Sequence, residues 1–237
     1  MLWCDVFSPP RLVLKVRQME PLSVGVHSVF TQAKLQPAQS IAIFGCGPVG
    51  LLCMAVAKAI GASRIIAVDI LQNRLDFAKT YAATDVFLPP PSQEGESKIE
   101  YSKRSAGLLK ATLGIEDRGS RAVDVVIDAS GADVSIQTGI LITKVGGIFV
   151  QVSLGSILKL CHPYPVIGRH RPARCYLAHQ CHNGKGTCHQ GLLPLWRTCC
   201  RHICHNAANM AKPGDYRLAL ALVSQKKVDL RPLVTHR

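Results

Sequence analysis

No uncharged apolar run in this chain of 237 residues reaches the ~18–20 residues that a membrane-spanning helix needs. The first residues place Asp5 where a secretory leader has its basic region, so a soluble, cytoplasmic protein without a membrane partner is expected. Aromatic residues are scarce, at 5% of the chain. Trp196 and Tyr176 are too isolated to build base-stacking platforms, so the net charge of +13 does not by itself imply a nucleic-acid partner. Acidic residues show the sharpest gap: none occurs from Val134 to Gly214. Those 81 residues hold nine Lys or Arg and so supply +9 of the +13. The remaining charge is ordinary for a soluble enzyme. With 48% hydrophobic and 18% charged residues, the chain has enough apolar material for a substantial core.

The acid-free stretch is also where the metal-binding residue types collect. Seven of ten Cys lie between Cys161 and Cys204, and seven of nine His between His162 and His205. Their spacing is wrong for zinc: there is no C-x2-C pair and no finger-like C-x2-4-C followed by H-x3-5-H. Nor does the stretch show a sustained strand or helix period. Residues 156–212 are therefore expected to be poorly packed or disordered, the reading of a translated intron or a frame change. A disordered basic insertion is the alternative, and a Cys/His metal- or nucleic-acid-binding module the third.

From Ser40 onward the pattern is regular. Ser40–Phe44, Arg64–Asp69, Asp85–Leu88, Val123–Asp128 and Gly147–Ser153 read as short buried strands. Helices are expected over Val49–Ile60, Asn73–Ala82, Ser105–Leu113 and Ala132–Thr143. Leu75, Phe77, Ala78 and Tyr81 are the core candidates of the second helix, and residues 89–103 read as a polar surface excursion. Such alternation predicts βαβ crossovers, hence an α/β fold with a doubly wound parallel sheet.

The first strand–helix junction carries Gly45-Cys46-Gly47-Pro48-Val49-Gly50, a G-x-G-x-x-G. It follows a strand, opens a helix, and is answered by Asp69 at the end of the next strand, which is the full context of a dinucleotide fingerprint. Gly45 permits the tight turn, Gly47 a close backbone approach to a pyrophosphate, and Gly50 contact of helix with strand. Pro48 lacks an N–H and fits a first helical turn, where N–H groups have no helical partner. A carboxylate at Asp69 accepts from ribose hydroxyls and repels a 2′-phosphate, so NAD is favoured over NADP. Arg74 is placed either over the adenosine or in solvent.

Long strings extend this pattern: MEPLSVGVHS at 19–28, GCGPVGLLCMAVAK at 45–58, IIAVD at 65–69, DVVIDASG at 124–131, FVQV at 149–152, PGDY at 213–216 and PLVTHR at 232–237. Together they resemble the zinc-dependent medium-chain dehydrogenases, particularly the polyol branch of sorbitol and fungal xylitol dehydrogenases. The resemblance implies a homo-oligomeric, NAD-dependent oxidoreductase with zinc as second cofactor and a small polyol as substrate, xylitol to D-xylulose being the implied reaction. It implies that Val49 lies under the nicotinamide side of the turn, and that Asp69 and Arg74 contact the adenosine ribose. The backbone of Val152, Ser153 and Leu154 would line the nicotinamide pocket, and Glu20 would be the acid beside the catalytic metal and substrate. By residue pattern alone, Glu20 is simply an acid at a helix start.

The expected organisation is an unmatched segment 1–18, an NAD-binding domain 19–155, the anomalous segment 156–212, and a family-like helix and tail 213–237. Since only eighteen residues precede Met19, the family's catalytic zinc domain is expected to be missing. The chain is therefore expected to be a polyol dehydrogenase by family that is here reduced to NAD binding, with little or no polyol oxidation of its own; a non-catalytic NAD-binding remnant is the alternative.

Overall fold

Ser40–Phe44 forms β1, and each of its five residues is buried. A strand covered on both faces must be apolar throughout, and this one is, apart from the serine at its start. In the computed structural model residues 19–152, 201–204 and 213–233 are described, with only the backbone described at 201–204 and at Pro213. β1 runs parallel to β2 (Arg64–Val68) on one side and to β4 (Val123–Asp128) on the other. β3 (Asp85–Phe87) extends the sheet beyond β2, while β5 (Thr143–Gln151) and β6 (Arg201–Cys204) extend it beyond β4. The order is β3-β2-β1-β4-β5-β6, every pair parallel. This is the doubly wound arrangement that the alternation of elements predicts, with its direction of winding reversing between β1 and β4.

Each face of the sheet has its own core. Ile41 and Ile43 of β1 point to one face and Ala42 and Phe44 to the other. The first face is covered by α1 (Met19–Val26), α2 (Pro48–Ile60), α3 (Gln72–Tyr81) and α6 (Pro213–Ser224), which contribute Leu22, Met54, Leu75 and Ala219. The second is covered by α4 (Lys98–Leu113) and α5 (Asp133–Ile142), through Leu109 and Ile142. Each fully buried Leu or Ile contributes about 1.5–3 kcal/mol by leaving water.

Between α1 and β1 the chain makes a π-helical turn, His27–Gln32, that is locked to α6. His27 Nδ1 lies 2.8 Å from Asp215 Oδ2, and the Thr31 hydroxyl donates to Asp215 Oδ1 at 2.7 Å. The carboxylate can only accept, so Nδ1 carries the proton and Nε2 accepts from the Gln32 amide at 2.7 Å. Buried polar groups are thus matched donor to acceptor across the junction.

Four details differ from the sequence reading. Helix α4 begins at Lys98, seven residues before the expected Ser105. Its start is a capping box, in which Ser97 Oγ accepts from the Glu100 N–H and the Glu100 side chain accepts from the Ser97 N–H. β5 begins at Thr143 rather than Gly147. Phe77, expected in the core, is 38% exposed and stacks on Tyr81 with ring centroids 5.8 Å apart. Leu75 and Ala78 alone carry the buried stripe of α3. Finally, residues 156–212 contain a strand: β6 pairs with β5 from Ile148↔Arg201 to Gln151↔Cys204. A ladder is made by backbone groups that must find partners, and it does not require an alternating side-chain pattern. The rest of that segment, including Cys161 to Cys200 and His205, lies outside the described residues, as do residues 1–18.

Candidate functional site

The carboxyl ends of β1, β2, β4 and β5 converge around the glycine turn. Gly45 leaves β1 with φ +93°, a left-handed conformation that side chains disfavour, and its N–H donates to Val68 O at 2.8 Å. A Cβ at Gly45 would lie 3.0 Å from Ser130 N, so the turn is pressed against the loop that follows β4. A Cβ at Gly50 would lie 1.8 Å from Gly45 O, which makes glycine obligatory there. Around Gly47 there is nothing within 4 Å of such a Cβ. The three glycines therefore do three different jobs: a turn, a helix–strand contact, and an open cradle above the backbone.

Gly47 is the N-cap of α2 and provides no side-chain acceptor, while Pro48 occupies the first turn. The N–H groups of that turn, at Val49 and Gly50, are aligned with the positive end of the helix dipole, suited to a phosphate anion. Val49 is half-buried on the same turn.

Asp69 closes the site on the β2 side. Its side chain is 4% exposed. Oδ2 accepts from the Cys46 N–H at 2.7 Å and Oδ1 from the Leu71 N–H at 2.9 Å. So the acid grips the glycine turn, and its two oxygens retain lone pairs for further donors. Arg74 Nη1 stands 3.8 Å from Asp69 Oδ2 with its side chain half exposed. Ile70 and Leu71, which follow Asp69, are 76% and 43% exposed. The sequence reading passed over this apolar pair; the signal was two large aliphatics at a strand's solvent end.

On the β4 side, the buried Asp128 accepts from Ser130 N–H, Ser130 Oγ and Gly131 N–H, while burial pushes its carboxyl above the ordinary carboxylate value. Its backbone carbonyl accepts from the Val152 N–H at 2.8 Å, which brings the end of β5 into the same crevice. Ser153 and Leu154 lie outside the described residues. The structure thus gathers Gly45, Gly47, Pro48, Val49, Gly50, Asp69, Arg74 and Val152 at the point where the sheet reverses direction, the location at which open α/β sheets bind ligands.

Glu20 is not joined to this group. It is exposed in the first turn of α1, and among the described residues its carboxylate makes no hydrogen bond or ion pair. The described residues do not fit a zinc ion. No three His, Cys, Asp or Glu among them cluster as metal ligands. Cys46 and Cys53 are buried thiols that desolvation pushes up to about 12, whereas zinc needs thiolates. His27 has both ring nitrogens engaged.

Comparison with known proteins gives a consistent picture. A family described as zinc-binding dehydrogenase matches residues 48–174, more than half of the chain. The chain is 39% identical over 217 residues to D-xylulose reductase A of Aspergillus niger, covering 92% of this chain and 48% of that protein. It therefore spans about half the length of the curated relatives it matches. Among solved structures it resembles a zinc-dependent alcohol dehydrogenase 2 from Streptococcus pneumonia, with TM-score 0.64 and 21% identity over 97% of this chain and 52% of the other. It also resembles galactitol-1-phosphate dehydrogenase from Escherichia coli, with TM-score 0.61 and 21% identity over 92% of this chain and 51% of that one. At these identities the structural likeness speaks for the fold. No described helix is long and apolar enough to cross a membrane.

Proposed function

The chain belongs to the zinc-binding dehydrogenase family, and on that premise we propose that it binds NAD in the crevice between β1 and β4 and serves the oxidation of a polyol, xylitol to D-xylulose. The observation that carries the cofactor reading is the pairing of an open Gly47 with a buried Asp69 tied to the same turn. The pyrophosphate would rest over Gly47 against the N–H groups of Val49 and Gly50. Asp69 would take the ribose hydroxyls on its remaining lone pairs and would repel a 2′-phosphate. Ile70 and Leu71 offer apolar surface to the adenine, with Arg74 at its edge. Val152 marks the wall of the nicotinamide side. Bound there, the nicotinamide supplies an acceptor for the hydride that leaves a secondary carbinol carbon. The relatives named D-xylulose reductase support xylulose and xylitol as the substrate pair.

Titration of the purified chain with NAD+ and NADP+ tests this reading. At least a tenfold preference for NAD+ is expected. Asp69→Ala should weaken both cofactors, because the Cys46 N–H loses its acceptor, and NAD+ more, so that the preference narrows. Equal affinities in the unmutated chain would refute the assignment. Xylitol-dependent NADH formation, compared with sorbitol, tests the substrate.

A further inference from the structure

We propose that Asp128 is a positioning residue for the dinucleotide turn, acting through the 129–131 loop; the inference rests on the cofactor reading above. Asp128 ends β4, directly beside Phe44 at the end of β1, and is fully buried. A buried carboxylate is costly unless its oxygens are used. All of its side-chain bonds go to a single loop: Oδ1 accepts from Ser130 N–H at 3.2 Å and Ser130 Oγ at 2.7 Å, and Oδ2 from Gly131 N–H at 3.1 Å. Ser130 Oγ in turn accepts from Ala132 N–H, the residue that caps α5. The same loop is held from the other side by the Ala129 N–H, which donates to Phe44 O at 2.8 Å.

The loop so fixed is the surface against which Gly45 turns. A Cβ there would lie 3.0 Å from Ser130 N and 3.1 Å from the Ala129 carbonyl carbon. Ala129 Cβ also lies 3.7 Å from the place a Gly50 Cβ would occupy. The glycine turn is therefore clamped between two carboxylates with matching tasks. Asp69 grips it directly through the Cys46 N–H, and Asp128 braces the backbone wall on the opposite side. An apolar residue at this buried position would avoid burying a charge but would leave the Ser130 and Gly131 donors without their acceptor. What the carboxylate adds is a fixed loop geometry beside the cradle.

The test is Asp128→Asn in the full chain, read by NAD+ titration, thermal unfolding without cofactor, and amide hydrogen exchange. Asparagine can still accept from Ser130, but it presents an N–H2 group to the Gly131 N–H, so the Gly131 bond is lost. The expected result is a ~tenfold loss of NAD+ affinity with an unfolding temperature unchanged or raised, and faster exchange at Gly131. Ser130→Ala, which keeps the buried acid, should lose about threefold and serves if the asparagine variant does not fold. Unchanged NAD+ affinity in the variants, or a loss of affinity that only tracks a loss of stability, would overturn the inference while leaving the cofactor reading intact. A parent chain that binds neither NAD+ nor NADP+ would overturn the cofactor reading and this inference with it. An unprotected Gly131 amide in the parent would overturn the tether by itself.

Discussion

Alanine at Gly50 and alanine at Gly47 add the same methyl group to the same turn, three residues apart, and should have opposite consequences. At Gly50 the new Cβ would stand 1.8 Å from Gly45 O, against the 3.4 Å or more of ordinary contact. Both are backbone-fixed atoms, so no side-chain rotation relieves the overlap, and helix and turn must part by more than 1 Å. Alanine gains about 1 kcal/mol over glycine in helix propensity, but overpacking of this kind costs about 3 kcal/mol or more. A net loss of about 2 kcal/mol or more corresponds to a fall in unfolding temperature of roughly 4–8 °C for a chain of this size. At Gly47 the Cβ meets nothing within 4 Å, and φ −74° with ψ −179° suits any residue. Gly47→Ala should leave stability unchanged or raise it by about 0.4–1 kcal/mol, because it restricts the unfolded chain. Yet the methyl group would stand in the space assigned to the pyrophosphate, so NAD+ binding should fall by at least tenfold. Calorimetric unfolding and NAD+ titration of the two variants measure both effects. A Gly50→Ala protein as stable as the parent would refute the geometric argument, and a Gly47→Ala protein binding NAD+ normally would refute the placement of the phosphates.

Two further outcomes are expected. Ser97→Ala removes the capping hydroxyl of α4 and should cost about 1 kcal/mol in denaturant unfolding, with faster amide exchange in the first turn of that helix only; uniform destabilisation would argue against a local cap. Asp85 is held below its ordinary carboxylate range first by hydrogen bonds from the Arg64 guanidinium. Because its folded value lies below the unfolded one, its contribution is fully present above about pH 4 and disappears as pH falls through the folded value. Asp85→Asn should therefore cost stability at pH 7, by about 1 kcal/mol or less for this partly exposed pair, and nothing at low pH. A parent–variant difference that persists in acid would contradict the assignment to ionisation.

The fingerprint was legible because each of its residues has a local geometric task. Gly45, Gly47 and Gly50 announce the turn, and Asp69 announces the end of the neighbouring strand, at spacings that hold whatever surrounds them. The start of α4 was hidden by the prolines of residues 89–91, although Ser97 and Glu100 carried the S-x-x-E signature of a cap. β6 was illegible for a different reason. Its Arg201-His202-Ile203-Cys204 sequence holds one aliphatic residue, and the strand is defined by backbone pairing with β5. Phe77 was misplaced because α3 is buried along a narrow stripe, and a helical period alone does not tell how wide that stripe is. The brace at Asp128 had a sequence signal, an acid followed by Ser130 and Gly131, the composition of a side-chain-capped turn. Its meaning required knowing that Gly45 lies against that turn.

The link between His27 and Asp215 joins residues 188 positions apart in sequence. Helix α6 is thus held in place by side chains from the π-helical turn that follows α1. The free energy of closing such a long connection grows only with the logarithm of its length, about 0.6 kcal/mol for each doubling. The length of chain that separates His27 from Asp215 therefore bears only weakly on the docking of α6, whereas the loss of either partner bears on it directly.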